Sequence, residues 1–169
     1  MQQPQPSLFT TLLAKFPAAL WLGFLPRSEG VIISVDEYHG LCSFLKNEQG
    51  FGYLSCLTAV DWPWKKQIEI VVHLENWERN DRLVLKVLLE RDNPEVASLT
   101  DLWQGANFLE REVFDLFGVT FLNHPNLKRI LSPEDETTFP LRKDFGVENN
   151  DEYGKAASTL ISSATKLTV

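Results

Sequence analysis

The chain has 169 residues, of which 44% are hydrophobic and 23% charged, and this composition suits one globular domain that can bury its own core. Its formal net charge of −7 argues against nucleic acid as a partner, because phosphate binding requires clustered lysine and arginine. No stretch approaches the roughly 20 uninterrupted apolar residues that cross a bilayer, so we expect any membrane association to be peripheral.

The first part of the chain predicts two helices and one strand. Ser7 is expected to cap a helix that ends before Pro17, because proline stops a helix. The apolar residues of this helix recur at intervals of three to four: Leu8, Leu12, Leu13 and Phe16. The run 31–35 predicts a short buried strand, after which Asp36 is expected to cap a second helix. One side of this second helix is apolar: Tyr38, Leu41, Cys42 and Leu45.

Three strand-like runs follow, at 51–60, 67–74 and 82–90, separated by short segments with turn residues. This spacing predicts an antiparallel meander. In the third run the buried face is formed by alternate residues: Leu83, Leu85, Val87 and Leu89. With helices on either side of the meander, the predicted fold class is α+β, with helices packed on a mainly antiparallel sheet and an extended C-terminal tail.

A third helix is predicted with Ser98 or Thr100 as its cap and Asp101 near its first turn, where a carboxylate suits the helix dipole. Its apolar stripe recurs every three or four residues: Leu102, Ala106, Leu109, Val113 and Phe117. Gly118 occupies the position of a left-handed cap, and 119–122 predicts one more short strand.

The composition becomes polar and aperiodic after Leu131. We therefore predict a single α+β domain over 1–131 and an extended polar tail over 132–169, draped over partner subunits. The apolar residues Phe139, Leu141 and Phe145 favour order on assembly for the first half of this tail.

Four charged residues lie on the third helix: Glu110, Arg111, Glu112 and Asp115. Arg111 and Asp115 are four apart and can pair across one turn, and the set is expected to fan outward. Such a fan favours a solvated or partner-binding face over a general acid/base pair, which needs two carboxylates facing across a cleft. A stand-alone hydrolase or isomerase that uses Glu110 or Asp115 is the competing hypothesis.

Metal and nucleophile motifs are absent from the sequence. Glu110 and Glu112 point about 200° apart on a helix, and the histidines His39, His73 and His124 form neither HxxxH nor ExxH. Cys42 and Cys56 cannot build a zinc ribbon or an iron–sulfur cluster alone and are expected to be buried, reduced thiols. We therefore expect no catalytic residue, cofactor or metal in this chain. His124 belongs either to a loop that presents it with Arg129 or to a turn fixed by Pro125.

These residues form an ordered set that resembles the signature of the hydrophilic C-type (30 kDa) subunit family of complex I, the proton-pumping NADH:quinone oxidoreductase. The set is Glu110, Arg111, Glu112, Asp115, Leu116, Phe117, Gly118, His124, Pro125, Arg129, Ile130, Leu131 and Pro140 to Asp144. The likeness runs from about residue 31 to 145. Within the family the chain is most similar to the J type of cyanobacteria and chloroplasts.

The resemblance implies a non-catalytic subunit in the peripheral arm of the type I NAD(P)H dehydrogenase, a translocase that passes electrons from ferredoxin to plastoquinone and couples this to proton translocation. It implies iron–sulfur clusters and plastoquinone in neighbouring subunits. It also implies contacts with the large quinone-site subunit, of the H type, and with the I-type and K-type subunits, on the cytoplasmic (stromal-equivalent) side of the thylakoid membrane. The equivalent scaffold of a respiratory complex I or a membrane-bound hydrogenase is the alternative.

The implied partner interface comprises Glu110, Arg111, Glu112, Asp115, His124, Arg129, Pro140, Leu141, Arg142, Lys143 and Asp144. Two positions depart from the family pattern. Phe139 stands where family members carry a histidine before the "PLRKD" run, and Phe108 stands in place of a tryptophan. Both substitutions keep an apolar or aromatic contact, and the first implies a rearranged pairing across the subunit interface.

Overall fold

A five-stranded sheet organises the structure, a computed structural model that describes residues 8–25 and 28–146. The elements in chain order are α1 (Leu8–Lys15), β1 (Leu20–Leu25), β2 (Ser28–Ile33), α2 (Val35–Asn47), β3 (Tyr53–Trp62), β4 (Gln67–Asn76), β5 (Asp81–Glu90), β6 (Glu95–Ala97), α3 (Ala106–Phe117) and β7 (Thr120–Leu122). The sheet order is β1-β2-β5-β4-β3, and every pair is antiparallel except β2 with β5. The predicted α+β class with a mainly antiparallel sheet is confirmed.

The predicted antiparallel meander is formed by β3, β4 and β5. Each of its turns contains one residue with a left-handed backbone conformation. These residues are Lys66, after a 3₁₀ turn at Pro63–Lys65, and Asn80, before β5. The alternate residues of β5 from Leu83 to Leu89 are buried against the predicted face of α2, and together these side chains form the centre of the core. Burial of each such leucine contributes about 1.5–3 kcal/mol, so this contact fixes α2 on the sheet.

The N-terminal elements differ from the prediction in two ways. β1, an edge strand, was not expected, because its run Leu20–Leu25 lacks the alternation that marks a half-buried strand. The second helix begins at Val35 after the cap position Ser34, so Asp36 lies in its first turn and is not the cap. The predicted cap of α1, Ser7, lies outside the described residues.

The start of the third helix was predicted too early. Residues 95–97 form β6, which pairs in parallel with β7 in a separate two-stranded sheet, and α3 begins only at Ala106. Between them the loop 98–105 makes a turn in which the amides of Leu102 and Trp103 donate to the carbonyl of Leu99. The helix ends as predicted, with Gly118 in the left-handed region at φ 73°.

The described part of the tail, residues 132–146, contacts this chain's own domain. The Leu141 amide donates to the Leu116 carbonyl, and the Lys143 amide donates to the carboxylate of Asp61, 2.8 Å away. The predicted boundary at 131 and the contact with partner subunits stay predictions, and residues 147–169 lie outside the described residues.

Asp61 is the main anchor of this part of the tail. It is buried on β3, and its two oxygens accept from the guanidinium of Arg91 at 2.7 and 2.9 Å. Arg91 also binds the exposed carboxylate of Asp144 at 2.8 Å. The ion pair and the Lys143 amide therefore join β3, the end of β5 and the tail at one point.

We expect Asp61→Ala to lower the free energy of unfolding by about 3 kcal/mol, because it leaves a largely buried guanidinium without its main partner. Asp144→Asn is the matched control and should cost less than about 1 kcal/mol, because Asp144 is exposed. Urea denaturation of the two variants and the parent chain measures both values. Equal losses would contradict the assignment of Asp61 as the anchor.

Candidate functional site

Glu110 lies inside the protein on α3. Its side chain is 0% exposed; Oε1 accepts the Leu99 amide at 2.6 Å and Oε2 accepts the Ser98 hydroxyl at 2.7 Å. Burial raises the pKa of this carboxyl to about 7, although the two hydrogen bonds act in the opposite direction. The carboxyl therefore ties the loop 98–105 to α3.

His124 is a basic side chain close to Glu110, with its Nε2 4.0 Å from Oε2. Its ring nitrogens are already engaged. Nδ1 accepts the Asn126 amide at 3.0 Å, so the proton is assigned to Nε2, which faces the Asn107 carbonyl at 3.1 Å. This tautomer is neutral and gives Glu110 no counter-ion. The turn hypothesis for His124 is favoured over the presenting loop, because the side chain points inward.

Asp115, further along α3, is also 0% exposed and collects four donors. Oδ1 accepts from the guanidinium of Arg129 at 2.7 Å. Oδ2 accepts three consecutive amides, those of Ile130, Leu131 and Ser132, at 3.0, 2.7 and 2.9 Å. Burial alone would raise the pKa of Asp115, but these donors hold it well below its usual range. The carboxylate fixes the backbone of 129–132 against α3.

The expected outward fan of charges is therefore wrong for Glu110 and Asp115. The expected pairing of Arg111 with Asp115 is wrong too. Arg111 instead donates to the carbonyls of Lys128 and Arg129 at 3.0 and 3.2 Å. Only Glu112 remains as an exposed carboxylate of the set. In this conformation Glu110 and Asp115 are not available as surface anchors for a partner.

The sequence held a signal for the burial of Glu110. It lies four residues after Ala106 and three before Val113, and both of these are buried. This spacing puts the carboxyl on the apolar stripe of the helix. Asp115 had no comparable signal, because three of its four partners are backbone amides.

Phe139 packs on α3 at the position where the resemblance implies a histidine. A Cβ atom added to Gly118 would lie 2.5 Å from its ring, so glycine leaves the space that Phe139 fills. The ring also lies near the guanidinium groups of Arg129 and Arg142, 5.4 and 4.8 Å from its centroid. Whether a partner pairing is rearranged there stays a prediction.

The remaining predicted interface residues lie along the same segment, 129–145. Arg142 is half-buried and donates to the Phe117 carbonyl at 2.7 Å, whereas Pro140 is half-buried and Lys143 and Asp144 are exposed. Large apolar side chains are exposed beside them: Ile130, Leu131, Leu141 and Phe145. This segment combines a fixed backbone with outward apolar and charged side chains.

The arrangement does not suit acid–base catalysis by either buried carboxyl. A general acid must reach its substrate within hydrogen-bond distance, and neither Glu110 nor Asp115 is exposed to any solvent. Among residues 8–25 and 28–146 no group of three or more histidine, cysteine, aspartate or glutamate side chains could hold a metal ion. Cys42 is buried as expected, whereas Cys56 is only half-buried.

No helix in the part of the chain that the structure describes combines the length and apolar character needed to cross a membrane.

Comparisons with known proteins agree on one family. The profile described as "Respiratory-chain NADH dehydrogenase, 30 Kd subunit" matches residues 31–151. The C-type subunit of NADH-quinone oxidoreductase from Moorella thermoacetica is 48% identical over 118 residues, which cover 70% of this chain and 80% of that protein. The C-type subunit of F(420)H(2) dehydrogenase from Methanosarcina mazei is 33% identical over 142 residues, which cover 82% and 90%.

Two solved structures share the fold. A chain of an archaeal respiratory membrane complex, the membrane-bound sulfane sulfur reductase, superposes with a TM-score of 0.73 and 30% identity over 82% of this chain and 83% of that one. A trypsin-resistant fragment of Nqo5 superposes with a TM-score of 0.61 and 27% identity over 70% and 98%. On this profile match and these relatives, the chain belongs to the 30 kDa (C-type) subunit family of respiratory-chain NADH dehydrogenase, complex I.

Proposed function

We propose that the chain is a non-catalytic subunit of the peripheral arm of a membrane-bound NAD(P)H:quinone oxidoreductase, where it braces the quinone-site and iron–sulfur subunits. The observation that carries this proposal is the segment 129–145. Asp115, Gly118 and Asp61 hold its backbone on the domain, while Leu131, Leu141 and Phe145 remain between 49% and 64% exposed.

Such a segment suits protein binding for two physical reasons. Its backbone is already ordered, so association incurs little of the usual ordering cost. Its side chains combine leucine, phenylalanine and arginine, and buried aromatic and arginine side chains carry most of the energy in protein interfaces. Of the predicted interface set, the exposed or half-buried members best placed for direct contact are Arg111, Glu112, Pro140, Leu141, Arg142, Lys143 and Asp144.

The proposal extends to the setting that the sequence resemblance implies. The complex is the type I NAD(P)H dehydrogenase of photosynthetic membranes, which takes electrons from ferredoxin and reduces plastoquinone. The chain contacts the H-type, I-type and K-type subunits on the cytoplasmic side of the thylakoid membrane and binds no cofactor itself. The iron–sulfur clusters and plastoquinone belong to its neighbours.

A respiratory complex is the second candidate. The Moorella thermoacetica relative is named as a subunit of an NADH-quinone oxidoreductase, and the Methanosarcina mazei relative as a subunit of an F(420)H(2) dehydrogenase. The second candidate is therefore the equivalent brace of a respiratory complex I, and the membrane-bound hydrogenase that the sequence resemblance implied as an alternative is tested with it.

Affinity purification of the tagged full chain from membranes tests the proposal. We expect the large quinone-site subunit, of the H type, to co-purify together with the I-type and K-type subunits. Recovery of NADH-oxidising subunits would select the respiratory candidate, and recovery of a nickel-containing subunit would select the hydrogenase. Quinone reduction by the purified chain alone would overturn the non-catalytic assignment.

The double substitution Leu131→Ser with Leu141→Ser should weaken association with the large subunit about tenfold or more, because interface side chains of this kind are worth about 1–2 kcal/mol or more. The free energy of unfolding should change by less than about 1 kcal/mol, because both side chains are largely exposed. Leu20→Ser, on the opposite edge strand β1, is the matched control and should leave association unchanged. Affinity and urea denaturation are measured on the same preparations.

Asp115→Asn should destabilise the fold by about 3 kcal/mol at pH 7, because the side-chain NH2 group of asparagine must face either the Arg129 guanidinium or the three backbone amides, all of which are donors. The stabilisation depends on the charged carboxylate, whose pKa is lowered in the folded chain. It is therefore present above the unfolded value of about 3.8 and is lost as the pH falls below it. The difference between variant and parent, measured by urea denaturation, should shrink from pH 7 to pH 3. A difference that does not depend on pH would contradict this role.

A further inference from the structure

A short chain of hydroxyl groups connects buried Glu110 with a surface cleft. The Ser98 hydroxyl lies 2.7 Å from Glu110 Oε2, and the Thr100 hydroxyl lies 2.8 Å from that of Ser98. Thr100 opens into a cleft of about 410 Å³ lined by His39, Ala97, Ser98, Thr100, Asp101 and Asn123. This arrangement belongs neither to the proposed partner-binding segment 129–145 nor to the hydrophobic core.

The hydroxyl chain can serve both protonation states of the carboxyl. When Glu110 is ionised, the Ser98 hydroxyl donates to it and the Thr100 hydroxyl donates to Ser98. When Glu110 is protonated, its own O–H donates to Ser98, and the Ser98 hydroxyl turns to donate to Thr100. A hydroxyl group is both donor and acceptor, and the Leu99 amide keeps its acceptor, Oε1, in either state. Glu110, Ser98 and Thr100 therefore keep their hydrogen-bond partners in both protonation states.

The surroundings of Glu110 offer it no positive charge. The buried titratable side chains of α2 are Tyr38 and Cys42, and the pKa of each is raised by burial and further by the negative charge of Glu110. The loop contributes Asp101, which His39 binds at 3.0 Å. His124 is held as the neutral tautomer by its contacts with Asn107 and Asn126.

The neighbouring charges on α3 face elsewhere. Arg111 binds the carbonyls of Lys128 and Arg129, and Glu112 is exposed. An ionised carboxyl at position 110 is therefore removed from water without a cation to offset the cost of its desolvation.

We propose that Glu110 is a proton switch, which in its protonated form favours the closed loop 98–105 on α3 and exchanges its proton with the cleft through the hydroxyls of Ser98 and Thr100. Opening of the loop exposes the carboxyl to water, where it ionises readily. Opening is therefore linked to proton release.

The sign of this linkage follows from the pKa of Glu110 in the two forms. Because the pKa is about 7 in the closed form and 4.5 for a free glutamate, the closed form is favoured most below pH 4.5. This advantage is lost as the pH rises to 7.

Carbon-13 NMR of the Glu110 carboxyl in the full chain tests the switch directly. The carboxyl signal should titrate near pH 7. A Glu110 signal that titrates at or below pH 4.5 would overturn the proposal, and this measurement needs no variant.

Amide hydrogen exchange of Leu102 and Trp103 tests the link to loop opening, because both amides bond within the loop. After correction for intrinsic exchange, their opening equilibrium constant should rise by up to about tenfold per pH unit between pH 5 and 7, as one released proton requires. Glu110→Gln keeps both hydrogen bonds but cannot titrate, so the part of this rise that Glu110 causes should disappear, while any part due to the contact of His39 with Asp101 remains. Glu112→Gln is the same substitution on the exposed side of α3 and should retain the rise. An unchanged rise in Glu110→Gln would overturn the proposal.

The role of the hydroxyls is tested with Thr100→Val against Thr100→Ser. Valine removes the acceptor that the Ser98 hydroxyl needs when Glu110 is protonated, so the protonated form is destabilised and the Glu110 signal should titrate at a lower pH. Serine keeps the hydroxyl and should titrate as the parent chain does. Identical titration curves in all three proteins would refute the hydroxyl relay.

Discussion

Two carboxylates on α3 hold together the parts of the domain that have no regular structure. Glu110 binds the amide of Leu99 in the loop before the helix, and Asp115 binds three amides of the segment after it. Burying a carboxylate costs several kcal/mol unless its lone pairs find donors. The two irregular segments supply these donors, so their conformations are set by the helix.

The two carboxyls on α3 differ in how the cost of their burial is offset. Asp115 has an arginine and three amides, and its charge is favoured over its neutral form. Glu110 has one amide and one hydroxyl, and burial dominates the balance. The pKa values of two carboxyls five residues apart therefore move in opposite directions. Asp115 stays ionised in the neutral pH range, whereas the carboxyl of Glu110 takes up or releases a proton there.

Features that have a local sequence signal were predicted correctly, whereas features that depend on distant contacts were not. The meander and the left-handed end of α3 depend on alternation, turn residues and Gly118, all of which are local. β1 lacks alternation, and β6 consists of three residues whose partner lies 25 positions away. The start of α3 was misplaced because Ser98 and Thr100 suit a helix cap, yet Ser98 serves the Glu110 carboxyl through tertiary contact.

The candidate site was harder to predict than the fold, because the partners of its charged residues are mostly backbone groups. Arg111 binds two backbone carbonyls and Asp115 binds three backbone amides. The sequence does not indicate which backbone groups a side chain binds. Residues of opposite charge four positions apart often form a pair. Arg111 and Asp115 do not, because each has other hydrogen-bond partners. The family resemblance implied these residues as partner contacts but gave no information about their contacts within the domain.

The segment 129–145 combines groups that hold it on the domain with the side chains that we propose for assembly. The inward groups of 129–145 are Arg129 and the amides of 130–132, which bind Asp115 of α3, and Phe139, which packs against Gly118. The outward side chains Leu131 and Leu141 contribute little to the domain and are free for contact. Asp115 fixes the backbone of Leu131, whereas the Leu116 carbonyl fixes that of Leu141. If these side chains meet a partner as we propose, the buried carboxylate of Asp115 determines how part of that surface is presented.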